Sequence, residues 1–136
     1  MGAALWLANK IISDINGLLP AAWVLWQVID SHISSDGYMG NKDSGKPDYT
    51  GGYWGLATAD HDSKKIILSM KYYAMGQFSR YIRPNDTIIQ AGEHIIASWN
   101  QEERKLVLVM VNDTNEKQSC RVDLDEFALR GAKICP

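Results

Sequence analysis

Ala21-Ala22-Trp23-Val24-Leu25-Trp26-Gln27-Val28-Ile29 is a nearly unbroken apolar run, and how it is read decides the fold. It is too short for a typical helix and is rich in β-branched and aromatic side chains, which favour extended backbone. Apolar and polar residues do not alternate, so neither face is marked for solvent. That pattern predicts a strand covered on both faces, as in a parallel sheet. Gln27 and Asp30 place polar atoms toward its C-terminal end.

On the N-terminal side, Ala4, Leu7, Ala8, Ile11, Ile15 and Leu18 recur at helical spacing, with Asn9, Lys10, Ser13, Asp14 and Asn16 between them. This predicts an amphipathic helix over 4–18, stopped by Gly17 and Pro20. On the C-terminal side, residues 31–52 are polar and carry Gly37, Gly40, Gly45, Pro47, Gly51 and Gly52. A loop of that length in a domain is usually functional or disordered. Tyr53–Ala59 and Ile66–Met70 read as a hairpin turning through Asp60-His61-Asp62-Ser63. Lys71–Ile82 reads as a second helix, with Tyr72, Met75, Phe78 (or Gln77) and Ile82 near helical spacing and Arg83-Pro84 ending it.

Beyond Pro84 the period changes. Thr87–Gln90, His94–Trp99, Leu106–Asn112 and Cys120–Leu124 read as strands, with the clearest hairpin turning through Asn100-Gln101-Glu102-Glu103-Arg104. The chain is therefore expected to divide into an α/β unit over 1–84 and an all-β unit over 85–136. A parallel strand needs a parallel neighbour joined by a crossover, and no second strand of that kind is legible. Helix, strand, long loop and helix make up one segment of an α/β barrel, whereas a whole (β/α)8 barrel takes about 250 residues. The apolar strand is expected to find its neighbours outside this chain.

Composition narrows the function. The chain has 136 residues, 46% hydrophobic and 22% charged, with a formal net charge of −2, which fits a globular protein. Lys and Arg are not clustered as nucleic acid or an anionic membrane would require. No run reaches the roughly 18 apolar residues of a membrane helix. Met1–Trp6 lacks the basic start of a signal peptide, which leaves the compartment open. Five Trp and six Tyr against two Phe favour rings with a polar edge, as is common where sugar faces stack, although ordinary packing uses the same residues. Cys120 and Cys135 are too few for a disulfide framework and read as free thiols. Two sequons, Asn85-Asp86-Thr87 and Asn112-Asp113-Thr114, are common by chance. No spacing around His32 or His61 fits a metal site, so both read as surface imidazoles, and no metal or cofactor is expected.

A resemblance adds to this. Leu7-Ala8 to Asp14, Leu19-Pro20 and Ala22-Trp23-Val24-Leu25-Trp26-Gln27 resemble the last helix–strand unit of glycoside hydrolase family 30. Tyr53-Trp54-Gly55-Leu56 and Lys71-Tyr72-Tyr73-Ala74-Met75-Gly76-Gln77-Phe78-Ser79-Arg80-Tyr81-Ile82-Arg83-Pro84 resemble that family's final hairpin and eighth helix. The resemblance covers about Ala4 to Phe127, is most specific over Lys71–Pro84, weakens after Arg121, and is nearest to the endo-β-1,6-galactanases. It implies an α/β plus all-β fold: the last helix–strand–helix segment of a (β/α)8 barrel, followed by part of an antiparallel β-sandwich side domain. It also implies a retaining glycosidase, usually secreted, acting on a β-linked polysaccharide.

Retention requires two carboxyl groups about 5–5.5 Å apart, and in this family both are Glu, at the ends of the fourth and seventh strands. Residues 1–92 contain no Glu, and Glu93, Glu102, Glu103, Glu116 and Glu126 all fall in the β-rich half. The chain begins just after the point where the nucleophile strand would end, so no catalytic residue is assigned and the chain alone is expected to be inactive. By the same resemblance Trp26 is the aromatic floor of the sugar subsite beside the cleaved bond. Gln27, Asp30, Tyr53 and Trp54 are further candidates for substrate contact, and Trp23 is assigned to packing. The partners expected are an oligo- or polysaccharide and either the missing N-terminal part of the barrel or a second copy of the chain. Two other readings remain open: a sugar-binding module without catalysis, and a structural protein that covers its apolar strand by self-association.

Overall fold

A computed structural model describes residues 2–35 and 54–127 of the chain. The first helix, α1, spans Ala3–Leu18. It buries Leu7, Ala8, Ile11 and Ile12, one stripe at helical spacing. Leu19 then turns into the left-handed region (φ 47°) and donates its amide to the Ile15 carbonyl, ending the helix one residue before Pro20. The polar face of α1 is also used. The Asn16 amide donates to the carbonyls of Gly92 and Ile95, each at 3.0 Å, and Asn9 donates to Asp113 at 2.9 Å. Asp14 accepts from Lys10 at 2.7 Å and from the Trp23 indole at 3.1 Å. These two bonds, Lys10 first, hold its carboxyl below the ordinary aspartate value.

The apolar run behaves differently from its sequence-based expectation. Residues 21–28 form no strand; the first strand, β1, is Ile29–Ile33. It pairs in parallel with β2, Ala57–Asp60, and β2 pairs antiparallel with β3, Lys65–Leu68. A parallel neighbour for the apolar segment's continuation therefore lies within this chain, contrary to expectation. Nor are both faces of 21–28 covered: Val24 and Trp26 are each 82% exposed. The reason is backbone pairing. Strand structure forms where a neighbour offers hydrogen-bonding groups, and among the described residues 21–28 meet one only at Val28, whose carbonyl accepts from Leu56 at 2.8 Å and Ala57 at 2.9 Å.

The β2–β3 hairpin turns where the sequence placed it. Asp60 accepts from the amides of Asp62 (3.1 Å) and Ser63 (3.0 Å) and from the Ser63 hydroxyl (2.6 Å). Lys64 closes the turn at φ 55°. The second helix, α2, is Met70–Ser79, shorter than expected by its last turn. Phe78 is buried, Met75 and Ile82 are partly buried, and Tyr72 faces outward instead of joining that row. Tyr53 and Cys135 lie outside the described residues, as does most of the stretch 31–52, whose first residues Ser31–Ile33 complete β1.

The C-terminal half is an antiparallel sheet of β4 (Thr87–Gly92), β5 (Ile95–Asn100) and β6 (Lys105–Met110), in that order. The central strand carries Ile96, Ala97 and Ser98 at 0–1% exposure. The strand expected over Cys120–Leu124 is not formed; a short 3-10 turn at Asp125–Phe127 follows, and Phe127 leans on Trp99 with ring centroids 5.3 Å apart. One cluster joins the two halves: Leu7, Ala8, Ile11 and Ile12 of α1 with Leu56, Phe78 and Ile96.

Asp86 pins the junction between α2 and the second sheet. It accepts from the Arg83 amide (3.0 Å), Asn100 (2.9 Å) and the hydroxyl of the fully buried Ser98 (3.2 Å). Burial alone would raise its carboxyl, but these bonds and the charge of Lys105 outweigh it and hold the group below the ordinary value.

Two outcomes follow for stability. Ile11→Ala empties volume at the centre of the shared cluster and is expected to lower unfolding free energy by about 2–5 kcal/mol. Urea unfolding followed by tryptophan fluorescence and by circular dichroism should shift together for both halves. Asp86→Ala leaves Ser98 and Asn100 short of a partner and should cost about 1–3 kcal/mol near neutral pH. Because the folded carboxyl sits below its unfolded value, its contribution is complete above the ordinary carboxylate range and disappears on acidification. Urea melts in an acid series should show the stability gap between wild type and variant closing as pH falls.

Candidate functional site

Of the sequence candidates, Trp26, Gln27, Asp30 and Trp54 fall among the described residues, on the segment leading into β1 and on the chain beside it. Trp26 stands out from the unpaired segment with its indole in solvent, and the neighbouring Gln27 is exposed as well. The peptide bond between Trp26 and Gln27 is cis. Val28 hydrogen-bonds to Leu56 and Ala57, so the chain at 54–57 runs beside 28–30. That contact sets Trp54, 56% exposed, next to Asp30 through Gly55.

Gly55 is buried because the backbones close there. A Cβ on Gly55 would lie 2.5 Å from Asp30 Oδ1 and 3.0 Å from the Asp30 amide nitrogen, leaving no room for a side chain. Asp30 is the second residue of β1 and partly buried, so it sits near the start of the strand; the sequence placed it just beyond a strand's C-terminal end. Its Oδ1 accepts from the Ser31 hydroxyl at 3.2 Å. Lys71, in the first turn of α2, is 8% exposed. Burial pulls its ammonium below the ordinary lysine value, and the nearby negative charge of Asp30 partly restores it. Sequence reasoning missed Lys71, since a lysine opening a helix reads as solvated surface. Its place directly after the hairpin, in the most family-like stretch, was the available signal.

Between the 21–28 segment and α2 lies an open groove of ≈ 690 Å³, lined chiefly by Trp23, Val24, Val28, Leu56, Tyr72 and Tyr73. Trp23, assigned to packing from the sequence, is partly buried against the core and also reaches this groove. The groove offers flat rings that can stack on an apolar ring face, and Gln77, Ser79 and Arg80 in its lining offer polar groups. Among the described residues no group of three or more His, Cys, Asp or Glu could hold a metal ion. Among those residues no helix is long and apolar enough to cross a membrane.

The chain is 28% identical over 106 residues to an endo-beta-1,6-galactanase of Hypocrea rufa, an alignment covering 76% of this chain. The chain spans 18% of that relative's length. No family model and no solved structure matches.

The contact at Gly55 is testable. Gly55→Ala forces Asp30 and Gly55 apart and is expected to destabilise the chain by about 1–3 kcal/mol. Gly55→Ala should also increase the proteolytic sensitivity of 28–35 relative to the β4–β6 sheet, read by limited digestion and mass mapping.

Proposed function

We propose that this chain is the C-terminal portion of a retaining glycoside hydrolase acting on a β-linked polysaccharide such as β-1,6-galactan, and that it forms one wall of the sugar cleft without supplying the catalytic carboxylates. The observation that carries the proposal is the solvent-facing indole of Trp26 on an apolar segment whose backbone has little pairing. Isolated exposed apolar residues are ordinary, but Val24, Trp26 and Val28 project from one short stretch, at 82%, 82% and 55% exposure. A stretch of that kind fits a strand of an α/β barrel, family 30 in type, flanked on one side by β2 of this chain and on the other by a strand from other sequence. The 28% identity to an endo-beta-1,6-galactanase supports the carbohydrate reading, and its 18% coverage supports the partial one.

In this reading residues 1–84 are barrel and residues 85–136 part of a β-sandwich. Trp26 stacks on the apolar face of a sugar ring, while Gln27, Asp30, Tyr53 and Trp54 meet hydroxyls or flank the ring. The two glutamates that would protonate and attack the glycosidic bond come from elsewhere in the enzyme. A second reading, favoured by the same exposed residues, has another copy of this chain covering the groove. A concentration-dependent dimer in light scattering, dissociated by Val24→Lys, would favour that reading.

The decisive experiment joins this chain in frame behind the preceding part of the Hypocrea rufa relative and assays sugar release from β-1,6-galactan. The expected result is hydrolysis by the joined protein and none by the chain alone. Trp26→Ala in the joined protein should lower kcat/KM by about tenfold to a hundredfold, corresponding to about 1.4–2.7 kcal/mol of lost transition-state stabilisation. Hydrolysis by the chain alone, abolished by replacing a single carboxylate within it, would overturn the proposal, as would a joined, folded protein indifferent to Trp26→Ala.

A further inference from the structure

The triplet Asn-Asp-Thr occurs twice, at 85–87 and at 112–114, with identical chemistry at both places. Such triplets accept N-linked sugar, but they are common by chance, and identical triplets cannot be ranked from sequence. The fold sets them apart. Asn85 sits in the left-handed region (φ 76°) at the junction between α2 and β4. Its neighbour Asp86 is tied across to Ser98 and Asn100, and Thr87 is already in β4, in register with Trp99. Asn112 is exposed in the loop that follows β6. Its Oδ1 accepts from the Thr114 amide at 3.1 Å and from the Thr114 hydroxyl at 2.7 Å, so the triplet closes on itself as an Asx turn. Its Nδ2 donates to the Glu116 carbonyl at 2.8 Å. Asp113 accepts from Asn9 of α1 at 2.9 Å, a side-chain tie that can open while β6 keeps its pairing with β5.

We propose that Asn112 is the acceptor site for an N-linked oligosaccharide, and that the identical triplet at Asn85 is not used in the folded chain. The donor is a lipid-linked pyrophosphate oligosaccharide. The Asn112 amide nitrogen forms a bond to the anomeric carbon of the donor and gives up one proton. The bond from that carbon to the pyrophosphate oxygen breaks, and its electron pair leaves with the pyrophosphate. The nitrogen keeps its second N–H, so its bond to the Glu116 carbonyl survives and the glycan extends from an exposed side chain. The Asx turn already brings the threonine hydroxyl onto the asparagine amide, the two groups that define the acceptor triplet. Presenting Asn85 in the same way requires drawing Thr87 out of β4 and breaking the hold of Asp86 on Ser98 and Asn100, which leaves buried groups short of a partner. A glycan on Asn112 stands just beyond Met110, 51% exposed at the end of β6, an outer strand of its sheet. Bulky hydrated cover there opposes pairing of the open edge with another chain. The site uses neither Trp26 nor Asp30 and is independent of the sugar cleft.

Incubation of the folded full chain with a eukaryotic oligosaccharyltransferase and a lipid-linked oligosaccharide tests the site. Synthetic peptides covering 81–91 and 108–118 serve as unfolded acceptors. Enzymatic removal of the glycan in heavy-oxygen water converts each used asparagine to a labelled aspartate, which mass mapping then locates. The two peptides are expected to accept alike, because their triplets are the same. The folded chain should carry about tenfold more glycan at Asn112 than at Asn85, a difference of about 1.4 kcal/mol. Asn112→Gln and Thr114→Ala should each abolish transfer at this site, and Thr114→Ser should retain it. Comparable occupancy of Asn85 and Asn112 in the folded chain would overturn the proposal. So would an Asn112 left bare in the folded chain while its peptide accepts, or a 108–118 peptide that accepts nothing. Should the variants fold poorly, site mapping on the wild type alone decides.

Discussion

The apolar stripe of α1 holds the rest of the structure in place. Leu7, Ala8, Ile11 and Ile12 share one cluster with Leu56 beside the first sheet, Phe78 in α2 and Ile96 in the second sheet. The first sheet has little cover of its own, for β3 is exposed at every residue. A three-stranded sheet needs a packed face to persist in water, and here the first sheet is joined to the α1 cluster through Leu56, which leads into β2. The side-chain amide of Asn16 adds orientation by gripping two carbonyls around the β4–β5 turn. Burial therefore sets how strongly the halves associate, and hydrogen bonds set their angle.

Much of this was legible in the sequence, and what failed did so for identifiable reasons. The α1 stripe, the turn at Asp60–Ser63 and the hairpin between β5 and β6 are local patterns, and periodicity or turn chemistry reports them directly. Residues 21–29 misled because an apolar run records that a segment wants cover, while strand formation depends on which backbone lies alongside. The partner for this stretch is Ala57–Asp60, about thirty residues later, so the strand forms at Ile29–Ile33 instead. The expected strand at Cys120–Leu124 failed likewise, with no hydrogen-bonded neighbour among the described residues.

The candidate site shows the same division. That Trp26 and Trp54 stand exposed is a fact of packing that aromatic composition does not report. The closeness of Asp30, Gly55 and Lys71 was invisible, because it arises from pairing between Val28 and Leu56 across a long connection. Lys71 shows the same point: it is 8% exposed, and burial lowers its ammonium's pKa while the Asp30 charge partly restores it. The contact of His32 Nδ1 with His61 Nε2, at 2.9 Å, depends on parallel register, which no single-sequence pattern reports.

The central position of β5 has a consequence for motion. Its backbone is hydrogen-bonded on both edges, and Ile96, Ala97 and Ser98 are sealed from water on both faces. Amide protons there can reach solvent only when the chain opens globally, so their deuterium uptake measures the stability of the whole unit. Those of β3, an edge strand with open faces, need only a local excursion. One labelling experiment would thus rank the two sheets by how often each breathes, and would locate the slowest-exchanging nucleus in the C-terminal half of the chain, away in sequence from the exposed Trp26 and Trp54.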